Sequence, residues 1–210
     1  MTLLDSYMAE CPLIAILRGI KPEEMLAVCD VLADEGIRLI EVPLNSPEAI
    51  RSIGIAAAHY HSGGRLLIGA GTVLTAADVE QVAQAGGKYI ISPNSDAAVI
   101  RRTVELGLVS IPGFLTPTEG FAAVAAGAHF LKLFPAGPFG VGYIKDLKAV
   151  LKAPILAVGG VNNDNIGTFL TQCAGVGIGS SLYKPGKSLE QIRQDARALL
   201  AALKASRNAG

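Results

Sequence analysis

Short apolar runs rich in β-branched residues alternate along the chain with longer segments in which apolar residues recur at helical spacing. Glycine or proline closes most of these pairs, and this alternation is typical of repeated βα units. The pattern predicts eight strands, at Leu13–Leu17, Leu39–Pro43, Leu66–Ala70, Tyr89–Ser92, Leu108–Pro112, Phe130–Phe134, Ile155–Val158 and Gly175–Ile178.

The segments between these strands carry signals of helix ends. The helix predicted from Pro22 to Glu35 opens with Pro-Glu-Glu, as a helix N-terminus often does. Thr75 is predicted to cap another helix, and Thr118 and Ser188 are predicted to start two more. The first dozen residues are predicted to form a short helix across the bottom of the fold.

Eight parallel strands with intervening helices close as a (β/α)8 TIM barrel, and 210 residues suffice for one such domain. No linker, low-complexity tract or long charge run interrupts the alternation, so residues 1–210 are read as a single α/β domain. A doubly wound open sheet is the alternative, because a strand count from sequence is uncertain by one or two.

The composition narrows the class of partner. Hydrophobic residues make up 50% of the chain and charged residues 17%, which favours a compact fold over disorder. The 18 basic residues balance the 18 acidic ones, so no overall basic field is available to bind nucleic acid or an anionic membrane. A small-molecule partner is therefore expected.

The chain shows no sign of a membrane span, a signal peptide or a metal site. No apolar run reaches the roughly 18 residues of a membrane span, and the first residues lack a basic start and an apolar core. The 3 cysteines have no C-x-x-C spacing, and the 3 histidines have no acidic neighbour at metal-ligand spacing. We therefore expect a cytoplasmic protein with buried thiols, no metal and no cofactor.

Side chains at the carboxyl ends of barrel strands converge on one mouth, however far apart they lie in sequence. Taken strand by strand, the residues at these ends are Arg18, Glu41, Thr72, Asn94, Pro112, Lys132, Gly159, Gly160, Gly179, Ser180 and Ser181.

Lys132 is the best clue to chemistry, since it stands in the apolar run FLKLFPAG. Burial disfavours the ammonium form, and a neutral amine is a nucleophile that forms Schiff bases with carbonyl compounds. The alternative is an edge-strand lysine with its ammonium in water. Glu41 in LIEVP is by itself readily explained as a structural, salt-bridged acid; together with Lys132 it supplies an acid/base partner without a metal.

The last two strands end in the glycine-containing segments AVGGVNNDN and GIGSSLY. Backbone amides there, next to a helix N-terminus, would bind phosphate, although turns and N-caps use the same residues. Arg18 either binds an anion or neutralises Glu41. Thr72 follows a glycine-containing turn that either admits a ligand or is merely tight.

The motifs LIAILRGI, IEVPLNSP, IGAGTVL, ISPN, IPGFLTPTE, LKLFPAG, AVGGV and GIGSSLY cover nearly the whole chain. In order and spacing they resemble those of the small class I aldolases that cleave 2-keto-3-deoxy-6-phosphosugar acids. The resemblance implies a cofactor-free (β/α)8 barrel, assembled as a homotrimer, with Lys132 as the Schiff-base lysine and Glu41 as the general acid/base. It further implies a substrate carboxylate near Thr72 and a phosphate at Gly160, Gly179 and Ser180.

Two subfamilies differ in the configuration of the substrate at C4. The gluconate type carries an arginine at the position of Asn45 and a threonine at that of Val158, whereas PLNSP, SPN and AVGGV resemble the galactonate type. Phe114 and Leu115 are bulkier than expected of that type. The alternatives are the gluconate epimer as main substrate, a non-covalent sugar-phosphate isomerase or epimerase, and a catalytically silent barrel that binds a phosphorylated metabolite.

Overall fold

The computed structural model describes residues 2–208. Its strands are β1 Leu13–Ile16, β2 Leu39–Pro43, β3 Leu67–Gly71, β4 Tyr89–Ile91, β5 Val109–Ile111, β6 Gly113–Phe114, β7 Leu131–Leu133, β8 Ile155–Val158 and β9 Gly175–Ile178. Its α-helices are α1 Leu3–Glu10, α2 Met25–Glu35, α3 Ala49–Tyr60, α4 Ala76–Gln84, α5 Ala97–Glu105, α6 Pro117–Ala125, α7 Gly140–Val150, α8 Ile166–Leu170 and α9 Leu189–Asn208. A 3₁₀ helix, Pro22–Glu24, precedes α2.

The strands form one parallel sheet in the order β5-β4-β3-β2-β1-β9-β8-β7-β6. The two ends of this row are separated in sequence only by Pro112, and the Pro112 carbonyl accepts a hydrogen bond of 2.9 Å from the Lys132 amide on β7. The Ser110 carbonyl accepts another, of 3.0 Å, from the His129 amide. The row therefore closes on itself, and the predicted (β/α)8 barrel is confirmed over the doubly wound alternative, whose strand order would reverse.

The predicted fifth strand, Leu108–Pro112, is wrong at its end. Proline has no amide hydrogen to donate to a ladder, so the strand breaks there into β5, which pairs with β4, and β6, which pairs with β7. Nine strand segments therefore occupy the eight positions expected of the barrel.

The helix starts at Thr75 and Ser188 are confirmed, since their hydroxyls accept hydrogen bonds from the amides of Asp78 and Gln191. The predicted start at Thr118 is wrong: α6 is capped by Thr116, whose amide donates to the Glu119 carboxylate at 2.8 Å. In the run TPTE, the glutamate stands three residues after Thr116, which completes a capping box there.

The predicted N-terminal helix is confirmed as α1. Its Leu4 and Met8 are buried in one cluster with side chains from the strands, among them Leu39, Phe130 and Leu156. Alternate strand residues, such as Ile40 and Leu131, instead pack between the barrel and the surrounding helices. Helix α1 thus closes one end of the barrel, and the chemistry is left to the other end.

All three cysteines are buried, as predicted. Within residues 2–208, no helix is both long enough and apolar enough to cross a bilayer.

Candidate active site

A cavity of about 620 Å³ opens at the carboxyl ends of the strands. Most of the predicted site residues line it, namely Arg18, Glu41, Lys132, Val158, Gly159, Gly160, Gly179 and Ser180. Residues from β1, β2, β7, β8 and β9 or from the loops that follow them thus meet at one site, as convergence of strand ends predicts.

Lys132 lies at the centre of β7, where its neighbours Leu131 and Leu133 pack outward against the helices. Alternation along the strand turns Lys132 inward, and the residue is only 6% exposed. Burial lowers the pKa of its amine, the charge of Glu41 opposes this shift, and the charge of Arg18 reinforces it. The alternative of a solvated edge lysine is therefore wrong, and burial shifts the amine towards its neutral, nucleophilic form.

Glu41 is the inward residue between Ile40 and Val42 on β2 and is 2% exposed. A β-carbon added to Gly71 on β3 would lie 1.5 Å from Oε1 of Glu41, so only glycine leaves room for this carboxylate. Burial raises the pKa of Glu41, whereas the charges of Lys132 and Arg18 act in the opposite direction. Burial and the two cations thus act in opposite directions on a carboxyl group that lines the cavity, an environment typical of groups that exchange protons.

Lys132 and Glu41 act on each other electrostatically, and desolvation disfavours the charged form of each. Two groups that interact in this way each affect the pKa of the other, so they titrate as a pair. The pair therefore offers a nucleophilic amine beside a proton donor and acceptor. Within residues 2–208 there is no cluster of three or more His, Cys, Asp or Glu residues placed to hold a metal ion.

Arg18 is exposed at the cavity, and its guanidinium does not bond to Glu41. Its Nη1 donates a hydrogen bond of 2.6 Å to Oδ1 of Asn45, a neutral amide. The positive charge of Arg18 therefore remains available, which favours anion binding over neutralisation of Glu41 as its role.

The wall formed by the ends of β8 and β9 presents backbone rather than charged side chains. Gly160 has a left-handed φ of +81°, and its carbonyl accepts a hydrogen bond of 2.8 Å from Nδ2 of Asn165. The amides of Gly160 and Ser180 find no acceptor within the described part of the chain. Unpaired N–H groups on adjacent loops are suited to binding an anion.

The helix N-terminus expected after β9 lies elsewhere, because α9 begins only at Leu189. A single turn follows the strand instead, in which the amides of Leu182 and Tyr183 donate to the Gly179 carbonyl at 2.9 and 3.0 Å. The amides available for phosphate therefore belong to a tight turn, and no helix dipole supports them there.

Three predicted site residues are not on the lining of this cavity, and their substrate-binding roles stay predictions. Thr72 is half-buried and has a φ of +56°, a conformation that β-branched residues rarely adopt. Asn94 is exposed, and Pro112 is buried with its carbonyl bonded to the Lys132 amide. Strain at Thr72 is consistent with a functional constraint on the turn after β3.

Sequence reasoning missed Phe134, Asn162, Tyr183 and Lys184, which also line the cavity. Phe134 could have been found, because a residue two positions beyond Lys132 faces the same side of a strand. Its ring centroid lies 4.8 Å from the Lys132 Nζ, a contact that favours the protonated amine and partly offsets the effect of burial.

Comparison with known proteins agrees with this geometry. The family model for KDPG and KHG aldolases matches residues 4–198. The probable 2-dehydro-3-deoxy-6-phosphogalactonate aldolase of Rhizobium meliloti strain 1021 is 50% identical over 196 residues, 92% of each chain. The 2-dehydro-3-deoxy-6-phosphogalactonate aldolase of Escherichia coli strain K12 is 46% identical over 199 residues, 93% of this chain and 96% of that one.

A solved structure described as native KDPGal superposes with a TM-score of 0.91 at 44% identity, covering 95% of this chain and 97% of that one. Fold, site and sequence agree, and the chain belongs to the KDPG and KHG aldolase family.

Proposed function

We propose that the protein is a class I aldolase that cleaves 2-dehydro-3-deoxy-6-phospho-D-galactonate to pyruvate and D-glyceraldehyde 3-phosphate, in the breakdown of galactonate. The observation that carries this proposal is the buried Lys132 beside Glu41 in a cavity at the strand ends. The two relatives at 50% and 46% identity that bear this substrate in their names support the choice of substrate.

In the proposed mechanism, the neutral amine of Lys132 attacks the C2 ketone, and loss of water gives a protonated imine. Glu41 moves protons during this step and then takes the proton of the C4 hydroxyl. The electrons of the C3–C4 bond pass into the imine, which becomes an enamine as glyceraldehyde 3-phosphate leaves. Protonation of the enamine at C3 and hydrolysis of the imine release pyruvate and restore Lys132.

The phosphate would bind at Gly160, Gly179 and Ser180, where amides without acceptors line the cavity. Backbone N–H groups in such a turn bind phosphate oxygens without the ordering cost of long side chains. The carboxylate is proposed to lie near the turn at Thr72, as the family resemblance implies.

Val158, at the end of β8, is proposed to select the C4 epimer. It lines the cavity and has no hydrogen-bonding group, so it gives no assistance to a C4 hydroxyl on its side. A threonine there would add a hydroxyl that prefers one configuration. The gluconate epimer is therefore expected to be the poorer substrate.

The homotrimer implied by the family resemblance and the cytoplasmic location expected from the sequence are retained as proposals. Exposed apolar side chains, Phe121 and Val124 on α6 and Val150 at the end of α7, offer surface that an interface between copies would cover. Light scattering after gel filtration measures the assembly, and a monomer would contradict the homotrimer. Three buried cysteines suit a reducing compartment.

The direct test of this function is pyruvate release from each of the two purified C4 epimers, coupled to lactate dehydrogenase. A higher kcat/KM on the galactonate epimer is expected. A higher value on the gluconate epimer would overturn the choice of substrate, and no pyruvate from either epimer would overturn the aldolase itself.

A further inference from the structure

The loops after β1 and β2 are tied together by their side chains. Arg18 donates to Asn45 at 2.6 Å, and the amide of Gly19 donates to Oγ of Ser46 at 2.8 Å. The amide of Leu17 adds a backbone hydrogen bond of 2.9 Å to the Glu41 carbonyl, at the point where the strands end. The loop that carries Arg18 is therefore fixed to the strand and loop that follow Glu41.

The same loop is held from its other side. A β-carbon added to Gly19 would lie 2.7 Å from Cγ of Pro185, so the segment after β9 packs directly on this glycine. Ser46 is buried as well. The backbone at Arg18 is thus confined between two neighbouring loops of the same cavity.

The side chain of Arg18 is less confined than its backbone, because it is exposed. An arginine side chain free to rotate loses rotamer entropy when a ligand orders it. The amide of Asn45 supplies an acceptor that orders the guanidinium before any ligand arrives. This arrangement lowers the entropic cost of using Arg18 in binding.

Asn45 also matters because it is neutral. An arginine has five N–H donors, and the hydrogen bond to Asn45 uses Nη1, so other donors remain for a ligand. The charge of Arg18 acts on both Lys132 and Glu41, which places it close to the reacting groups. An acidic residue at position 45 would hold the guanidinium equally well but would cancel its charge.

We propose that Asn45 is a positioning residue that holds the Arg18 guanidinium at the cavity, where its remaining donors bind an anionic group of the substrate. The proposal rests on the function given above for the identity of that substrate. The anion is either the carboxylate or the phosphate, and both are matched by the fork of guanidinium donors.

The test compares Asn45→Ala with wild type and with Asn163→Ala, which removes an exposed amide from another loop at the same end of the barrel. Asn45→Ala is expected to raise KM for cleavage about tenfold while kcat changes by less than about threefold, since an ordering contact is lost and the reacting groups are intact. Asn163→Ala should match wild type. Circular dichroism checks that each variant is folded.

Two further arms identify the anion. If Arg18 binds the carboxylate, Asn45→Ala raises the pyruvate concentration needed for half-maximal borohydride inactivation. If it binds the phosphate, KM rises in the synthetic direction for glyceraldehyde 3-phosphate but not for unphosphorylated glyceraldehyde. Either result supports the proposal, whereas unchanged values in both arms and an unchanged cleavage KM overturn it.

Asn45→Asp separates position from charge, because the aspartate keeps the acceptor and neutralises Arg18. This variant should also raise KM and should move the acid limb of borohydride inactivation to higher pH, a shift that a purely structural role would not produce. Titration calorimetry with pyruvate and with inorganic phosphate repeats the comparison without turnover. Asn45→Ala is expected to bind pyruvate or phosphate more weakly than wild type does. Because calorimetry needs no turnover, it tests the role of Asn45 even if the protein does not act as an aldolase.

Discussion

The two halves of the barrel interior differ sharply although the same strands build both. Along β2 the interior residue changes from Leu39 to Glu41, and into β7 from Phe130 to Lys132. Two residues along a strand span only about 7 Å. Below that step the interior is packed and apolar and is closed by α1; above it lies an open cavity with ionisable groups and glycines.

The difference separates the residues that stabilise the fold from those proposed to perform the chemistry. Burial of apolar side chains below the step favours folding. Desolvation of Lys132 and Glu41 above it opposes folding and disfavours the charged form of each group. Tyr89 marks the boundary. Its ring packs on Gly69 among the apolar side chains, and its buried hydroxyl has no hydrogen-bond partner among the described residues. Burial and, to a smaller extent, the charge of Glu41 raise the pKa of this hydroxyl.

The largest effect is expected from Lys132→Met, which should abolish catalysed cleavage because no amine remains to form the imine. The change should leave the free energy of unfolding unchanged or increase it, since a buried ionisable group is replaced by an apolar one of similar length. Pyruvate release and urea denaturation measure the two quantities. Retained cleavage would show that Lys132 is not the nucleophile, and a large loss of stability would show that it stabilises the fold.

Glu41→Gln comes next and should lower kcat by about 10² to 10⁴-fold, because proton transfer is lost while the shape of the side chain is kept. The unfolding midpoint should stay close to that of wild type. Glu105→Gln, at an exposed position on α5, is the matched control and should be fully active. A Glu41→Gln enzyme with near wild-type turnover would remove Glu41 from the mechanism.

Leu4→Ala probes the closed end and should reduce the free energy of unfolding by about 2 to 5 kcal/mol, since it leaves a cavity beneath the barrel. The kcat of the remaining folded enzyme should be close to wild type, because α1 lies at the opposite end from Lys132. Equilibrium unfolding and active-site titration give the two values. A large fall in kcat per active site would show that packing at the closed end also affects catalysis at the open end.

Val158→Thr should have the smallest effect. One added hydroxyl is worth about 0.5 to 1.5 kcal/mol as a hydrogen bond, so the ratio of kcat/KM for the two C4 epimers should shift towards the gluconate epimer by up to about tenfold. Stability should change little, because Val158 lines the open cavity, where water can hydrogen-bond the added hydroxyl. An unchanged ratio would count against a stereochemical role for Val158.

The sequence was sufficient to predict the barrel and about half of the residues that line the cavity, because both follow from local patterns. Alternation of strand and helix signals indicates the barrel, and position at a strand end brings Arg18, Glu41 and Lys132 to one mouth. The break at Pro112 was missed, since a proline at the end of an apolar run reads as a strand terminus when the partner strand is unknown. The cap at Thr116 was missed because TPTE contains two threonines, and either of them is a suitable N-cap residue.

Contacts between loops lay beyond sequence reasoning. Nothing near Asn45 in sequence shows that its amide meets Arg18, which lies 27 positions earlier. Gly71 likewise reads as part of a turn until the Glu41 carboxylate is seen to occupy the space of its missing β-carbon. Such contacts depend on how neighbouring strands are aligned along the sheet, and this alignment is known only from the folded barrel.

Lys132, at the open end of the barrel, is proposed to form a Schiff base with the substrate. Borohydride reduction in the presence of pyruvate tests this directly, because it converts the imine into a stable amine. We expect inactivation, with the mass of one reduced pyruvate adduct on the peptide that contains Lys132. Because burial lowers the pKa of this amine, and only the unprotonated form attacks, trapping should rise with pH and level off below the value of about 10.4 expected of a free lysine. If the enzyme cleaves its substrate while Lys132 stays unmodified under borohydride, the Schiff-base mechanism is wrong and a non-covalent barrel enzyme is favoured.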